Sequence, residues 1–188
     1  MKWRGVLFDL FGTVVRPFPR VGHQRALSSA ALTTGLNPSK CNALWEADYS
    51  NRVIGRSGAI GDVSTLQRLE ELRVPVGLVS NAAPDFVTAF GESPLWSLFR
   101  GCVFVCAVGV AKPDREIYLQ GATALNLDPK DLLFVGDGSD DELNGAAAAG
   151  LTAVLVEVDT ADAYDSDRPL WAGARVRSLT EVLNVLGS

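Results

Sequence analysis

The feature that most constrains this chain is a regular alternation of short apolar runs with helical patterns. The first run, Val6-Leu7-Phe8, leads straight into Asp9, and Gly12 follows three residues later. It is too short for a helix and consists of apolar residues with good β-formers, so it reads as a buried central strand. Runs of the same character lie at 76–79, 103–106, 132–135 and 152–156. Helical patterns fill the intervals at 64–72, 85–90, 115–125 and 142–149, and a closing helix is expected over 179–186. This alternation predicts an α/β fold, a parallel sheet with helices on both faces. Every strand of such a sheet presents its carboxyl end at the same edge, where ligands bind.

The interval after the first strand breaks the rhythm. Pro17 and Pro19 make a stiff, non-helical exit. Helical patterns then run over 22–34, with Leu27, Ala30, Ala31 and Leu32, and over 40–52, with Cys41, Leu44 and Trp45. The turn Gly35-Leu36-Asn37-Pro38-Ser39 separates them and offers Ser39 as a cap, so the pair reads as an αα-hairpin. The glycine-rich stretch 55–61 closes this segment, and Asp62 or Ser64 can cap the helix that follows. We therefore assign 1–15 and 62–188 to a core domain and 16–61 to a small helical insertion.

Charge and composition narrow the partners. A net charge of −5 without basic clusters argues against nucleic acid and anionic membranes. No apolar run approaches the roughly 20 residues that span a bilayer. The N-terminus enters the first strand at once and leaves no room for a signal peptide. The three cysteines show no zinc spacing, and Cys102 and Cys106, taken to flank one strand, are too far apart to bridge. They read as small buried apolar residues of a protein in a reducing cytoplasm. The single histidine, His23, reads as a helix-terminal surface residue.

The carboxyl ends of the first four strands carry, in order, Asp9, Ser80-Asn81, Lys112 and Asp137. Each has an ordinary explanation alone, as a cap, a turn residue or a surface lysine. Their shared topological position is what points to a site. A carboxylate can act as a nucleophile. Two converging acids repel, and Mg²⁺ with its preference for oxygen ligands offsets that repulsion and neutralises phosphoryl charge. Lys112 adds a point charge, and Ser80 with backbone N–H groups can bind phosphate oxygens. Transfer of a phosphoryl group from a small phosphomonoester to Asp9, followed by hydrolysis, accommodates every member of the set.

These residues resemble the four motifs of the haloacid dehalogenase-like (HAD) hydrolase superfamily. Asp9-Leu10-Phe11-Gly12-Thr13 is similar to its first motif, Leu78-Val79-Ser80-Asn81 to its second, and Lys112 in Ala111-Lys112-Pro113-Asp114 to its third. The stretch from Phe134 to Leu143 resembles its acidic fourth motif. The resemblance implies a Rossmann-like core with 16–61 as a short C1-type helical cap. It further implies Asp9 and Lys112 as catalytic residues, with Gly12, Thr13, Ser80 and Asn81 binding substrate phosphate. Mg²⁺ would be held by Asp9, the Phe11 backbone carbonyl, Asp137, and either Glu142 or Asp141. A small-molecule substrate and a cytoplasmic monomer or homodimer complete the expectation.

Two departures from the family pattern stand out. Phosphatases of this superfamily usually carry a general acid two residues after the nucleophile, where this chain has Phe11. An aromatic residue there is also what haloacid dehalogenases show, whereas the acidic Gly136-Asp137 form is not theirs. We rank a Mg²⁺-dependent phosphatase-like hydrolase first, halide displacement through Asp9 second, and a catalytically weak binding or regulatory protein third. The second departure is the two-helix insertion, shorter than usual for such a cap, which predicts a more open site or one covered by a second subunit.

Overall fold

The structure is a computed structural model that describes residues 2–15, 63–82, 84–157 and 168–187. The expected insertion, with His23 and the two cap helices, lies outside the described residues. The division into core and cap therefore remains a proposal.

Strand β1 (Gly5–Phe8) is followed, beyond the insertion, by helix α1 (Ser64–Glu71), β2 (Val76–Ser80) and α2 (Pro84–Gly91). Then come β3 (Gly101–Phe104), the single-turn helix α3 (Val105–Val108), α4 (Arg115–Leu125), β4 (Leu132–Gly136) and α5 (Glu142–Ala148). The chain closes with β5 (Thr152–Val156), β6 (Ala174–Val176) and α6 (Leu179–Gly187). The strands form one parallel sheet in the order β3-β2-β1-β4-β5-β6. The chain winds outward from β1 on one side, then returns to β4 and winds outward on the other. The β1/β4 junction is thus the topological switch point, the crevice where doubly wound sheets bind ligands.

Burial explains why the central strands are apolar throughout. Every residue of β1, β2 and β4 is buried, because helices cover both faces. Side chains alternate between two cores. Val6 and Phe8 pack with Leu66 and Leu69 of α1, Phe86 and Phe90 of α2, and Val182 and Leu186 of α6. Leu7 points the other way and packs with Ile117 and Tyr118 of α4 and Ala146 of α5. Helix α4 begins as its sequence dictates, with the Asp114 carboxylate accepting from Glu116 N, and ends on Asn126 in the left-handed region.

Several expectations are corrected. The third strand is Gly101–Phe104, not 103–106, because Val105 and Cys106 belong to α3. Cys106 is consequently exposed and Cys102 only half-buried, so neither is the buried apolar residue anticipated. Burial still pushes the Cys102 thiol up to about 12. Val63 occupies the α1 N-cap position without a side-chain cap bond, in place of Asp62 or Ser64. Trp96 sits on a 3-10 turn, its ring against Phe90 and Phe104. Strand β6 was not anticipated at all: three residues with two exposed give too little pattern. Among the described residues, no helix is long and apolar enough to cross a membrane.

Helix α5 approaches the loop after α3 so closely that a Cβ on Gly145 would lie 2.5 Å from Pro113 O and 2.8 Å from the Tyr118 hydroxyl. Gly145→Ala is therefore expected to cost about 1–3 kcal/mol, the usual range for overpacking. Urea unfolding of the two proteins measures it.

Candidate active site

Strand register builds the site. Phe8 pairs with Val135, and Asp9 N donates to Val135 O at 2.9 Å, so the chain leaves β1 and β4 side by side. Asp9 and Asp137 emerge from these adjacent ends. Ser80 closes β2, and Lys112 lies on the loop between α3 and α4.

The four ionisable groups at the centre are almost fully withdrawn from water: Asp9 is 4% exposed, Lys112 6%, and Asp137 and Glu142 0%. The Lys112 ammonium donates to both Asp9 Oδ1 and Glu142 Oε2. Carboxylate oxygens of Asp9, Asp137 and Glu142 lie within 4.8 Å of one another. Burial raises the Asp9 carboxyl to about 6, against the pull of Lys112 and with a further push from Asp137. Burial, reinforced by the Asp9 charge, also drives Glu142 well above the usual carboxylate range. Burial alone would lower Lys112, but Asp9 and Glu142 together hold it well above its ordinary value. Three buried carboxylates face two cations, the Lys112 ammonium and the Arg168 guanidinium 3.8 Å from Asp137 Oδ2, so with all three ionised one negative charge is left uncompensated.

Two glycines make this crowding possible. At Gly12 (φ +84°) a Cβ would sit 2.3 Å from Asp137 Oδ2, and at Gly136 it would sit 2.1 Å from Glu142 Oε1. Gly12 thus supplies both the left-handed turn and the room for Asp137 beneath it.

Hydrogen bonds divide the fourth-motif acids. Asp137 Oδ1 accepts from Ser139 N at 2.9 Å, while Oδ2 has no hydrogen-bond partner. Glu142 spends both oxygens, one on Lys112 and one on Gly138 N at 3.0 Å. Its backbone carbonyl accepts from the buried Tyr118 hydroxyl at 2.8 Å, which pins the start of α5. Of the two acids left open by the sequence, Glu142 faces the centre. Asp141 turns to Asn144 Nδ2 at 2.6 Å. Asn81, expected to bind phosphate, uses its side chain as a clamp. Its Oδ1 accepts from Lys112 N at 2.8 Å, and its Nδ2 donates to Lys112 O at 3.2 Å and to Asp140 Oδ2 at 3.0 Å. It ties the second, third and fourth motifs together.

Among the described residues, five buried side-chain atoms have no hydrogen-bond partner, and four lie at this rim: Thr13 Oγ1, Ser80 Oγ, Asp137 Oδ2 and Ser139 Oγ. The fifth, Ser93 Oγ, follows α2. Buried polar atoms are rarely left unpaired, since each costs about 1–3 kcal/mol. The residues present therefore fit a hard divalent cation beside Asp9 and Asp137, with hydroxyls free for an oxyanion. Phe11 lies on the turn after β1, half-buried, its ring centroid 4.4 Å from that of Phe86.

Sequence reasoning missed Arg168. Its guanidinium donates to Asp137 O and lies 3.8 Å from Asp137 Oδ2. The available signal was slight: Arg168 is the one basic residue in the acidic stretch 157–171.

The family model for haloacid dehalogenase-like hydrolases matches residues 60–150. A glyceraldehyde 3-phosphate phosphatase of Methanopyrus kandleri is 28% identical over 129 residues, covering 66% of this chain and 55% of that protein. The chain thus spans little more than half the length of that relative. Hexitol phosphatase A of Escherichia coli K12 is 28% identical over 191 residues, covering 85% of this chain and 87% of that protein. A HAD phosphatase structure from Thermococcus onnurineus superposes with a TM-score of 0.69 at 19% identity, covering 98% of both chains, which speaks to the fold. Over residues 60–150 the chain is thus similar to the haloacid dehalogenase-like hydrolases.

A carboxyl raised to about 6 must ionise before it can ligate a cation, so metal binding competes with protons below that pH. Divalent-cation affinity should hold steady above about pH 7 and fall by up to about tenfold per unit below about pH 6. Calorimetric titration across this range checks it.

Proposed function

We propose that this chain is a Mg²⁺-dependent, phosphatase-like hydrolase of small phosphorylated molecules, with Asp9 as nucleophile. The observation that carries the reading is the buried Asp9 carboxylate, held by Lys112 beside an Asp137 whose Oδ2 has no hydrogen-bond partner. The names of the two relatives support a small phosphomonoester as substrate. Free Cys102 and Cys106 suit a reducing cytoplasm, and we expect a monomer or homodimer.

In this reading Lys112 fixes Asp9 through Oδ1 and keeps it ionised. An Asp9 oxygen attacks phosphorus, the bond to the leaving oxygen breaks, and an aspartyl phosphate forms. Water then attacks the same phosphorus, phosphate leaves, and the Asp9 carboxylate is restored. Ser80 and Thr13, whose hydroxyls are unpartnered, bind phosphate oxygens. Asp9 and Asp137, with the Phe11 carbonyl, would hold Mg²⁺, which supplies positive charge for the phosphoryl oxygens. Glu142 positions Lys112. Halide displacement needs no cation and gives no role to the cluster of Asp9, Asp137 and Glu142 carboxylates. A purely binding role leaves the Lys112–Asp9 pair without one.

Hydrolysis of 4-nitrophenyl phosphate tests the reading. We expect turnover with Mg²⁺, none with EDTA, and loss to background in Asp9→Asn. Lys112→Ala should lose activity comparably while Mg²⁺ still binds. Activity that persists in Asp9→Asn contradicts the assignment of the nucleophile.

A further inference from the structure

Alkyl phosphates part from phosphorus slowly unless a proton reaches the departing oxygen. We therefore searched the rim for a group able to deliver one. The Lys112 ammonium is committed to Asp9 and Glu142. Both Glu142 oxygens are engaged. The Tyr118 hydroxyl is buried and donates to Glu142 O. Asp140 and Asp141 turn to the Asn81 and Asn144 side chains. Arg168 is a guanidinium, which does not give up its proton. Phe11, two residues beyond the nucleophile on the turn after β1, is apolar and cannot swing away cheaply. It packs against the first core, and its partner Phe86 is itself buried against Phe90. Among the described residues this leaves Asp137, assigned to the cation, and the unpartnered Thr13, Ser80 and Ser139 hydroxyls, alcohols too weakly acidic to serve as the donor.

Resting on the phosphatase-like reading above, we infer that this site is built for phosphorylated compounds whose leaving group departs as a stable anion. These are acyl phosphates and aryl phosphates, in contrast to the alkyl phosphates for which the two relatives are named. The step balances without a donor. The Asp9 oxygen forms its bond to phosphorus, the phosphorus–oxygen bond breaks with its electron pair staying on oxygen, and a carboxylate or phenolate diffuses away unprotonated. Water then cleaves the aspartyl phosphate, and its proton leaves with phosphate into solvent. The half-buried Phe11 ring adds an apolar surface on which the organic part of such a substrate can lie.

A leaving-group series decides the matter. Phenyl phosphates with substituents from 4-nitro to 4-methoxy have nearly equal size and differ mainly in leaving-group basicity; acetyl phosphate extends the range to a carboxylate. The readout is kcat/KM, which reports the first chemical step, for the Mg²⁺-loaded full chain. General acids contribute typically about 10²–10⁴-fold. We therefore expect a steep fall in kcat/KM with leaving-group basicity, and glycerol phosphate at least about 10²-fold below acetyl phosphate. Phe11→Asp should flatten the slope, raising poor leaving groups relative to 4-nitrophenyl phosphate. Should that variant fail to fold, the wild-type slope alone suffices. A flat slope in the wild type, with good Mg²⁺-dependent turnover throughout, overturns this inference and leaves the phosphatase reading standing. Absence of Mg²⁺-dependent turnover on acetyl and 4-nitrophenyl phosphate alike overturns both.

Discussion

One ammonium holds this site together. Lys112 reaches from the loop before α4 and bonds carboxylates from two other loops, Asp9 after β1 and Glu142 at the start of α5. Each of these groups would be costly to bury alone. Together they fix the distances between three segments far apart in sequence. Asp137 enters the same space, its Oδ2 without a hydrogen-bond partner and 3.8 Å from Arg168, so three carboxylates face two cations. That residual charge gives the site its appetite for a cation, and the unpartnered Ser80 and Thr13 hydroxyls beside it suit an oxyanion. Much of the surrounding structure serves to hold Lys112. Asn81 clamps its backbone, Tyr118 pins the helix that carries Glu142, and Gly145 lets that helix come against Pro113.

The fold and the site's main members were legible because they depend on local signals. Val6-Leu7-Phe8 and Leu132-Leu133-Phe134-Val135 are unmistakably apolar because helices cover both faces of the sheet. Asp114 and Asn126 mark the ends of α4 by their capping chemistry. The parallel alternation then brings Asp9, Ser80 and Asp137 to one edge without any knowledge of contacts. What could not be read was anything set by long-range packing. Asp141 and Glu142 are adjacent acids, and only the left-handed backbone at Asp140 and Asp141 turns the second inward and the first out. Asn81 looked like a ligand for phosphate because nothing in its neighbourhood reveals Lys112 as its partner. Arg168 reaches Asp137 from thirty-one residues away in sequence, and β6 has too few buried positions to show a period.

Phe11 gives the site its individual character. A residue two positions past the nucleophile sits on the rim, and here it is tied into an aromatic row with Phe86 and Phe90. Asp9 and Glu142 are held by Lys112, a network that Phe11 does not enter. On the reading proposed above, the covalent step at Asp9 is thus separable from what the site asks of the leaving group. Selectivity of this kind arises from reactivity rather than from shape.

The central claim is that Asp9 becomes covalently phosphorylated, and it can be tested directly. The Mg²⁺-loaded protein is mixed with acetyl phosphate, quenched in acid on the millisecond-to-second scale, digested and analysed by mass spectrometry. The account predicts a peptide heavier by one phosphoryl group, the modification mapping to Asp9, rising and decaying in step with turnover. Release of inorganic phosphate with Asp9 unmodified at every quench time would contradict it.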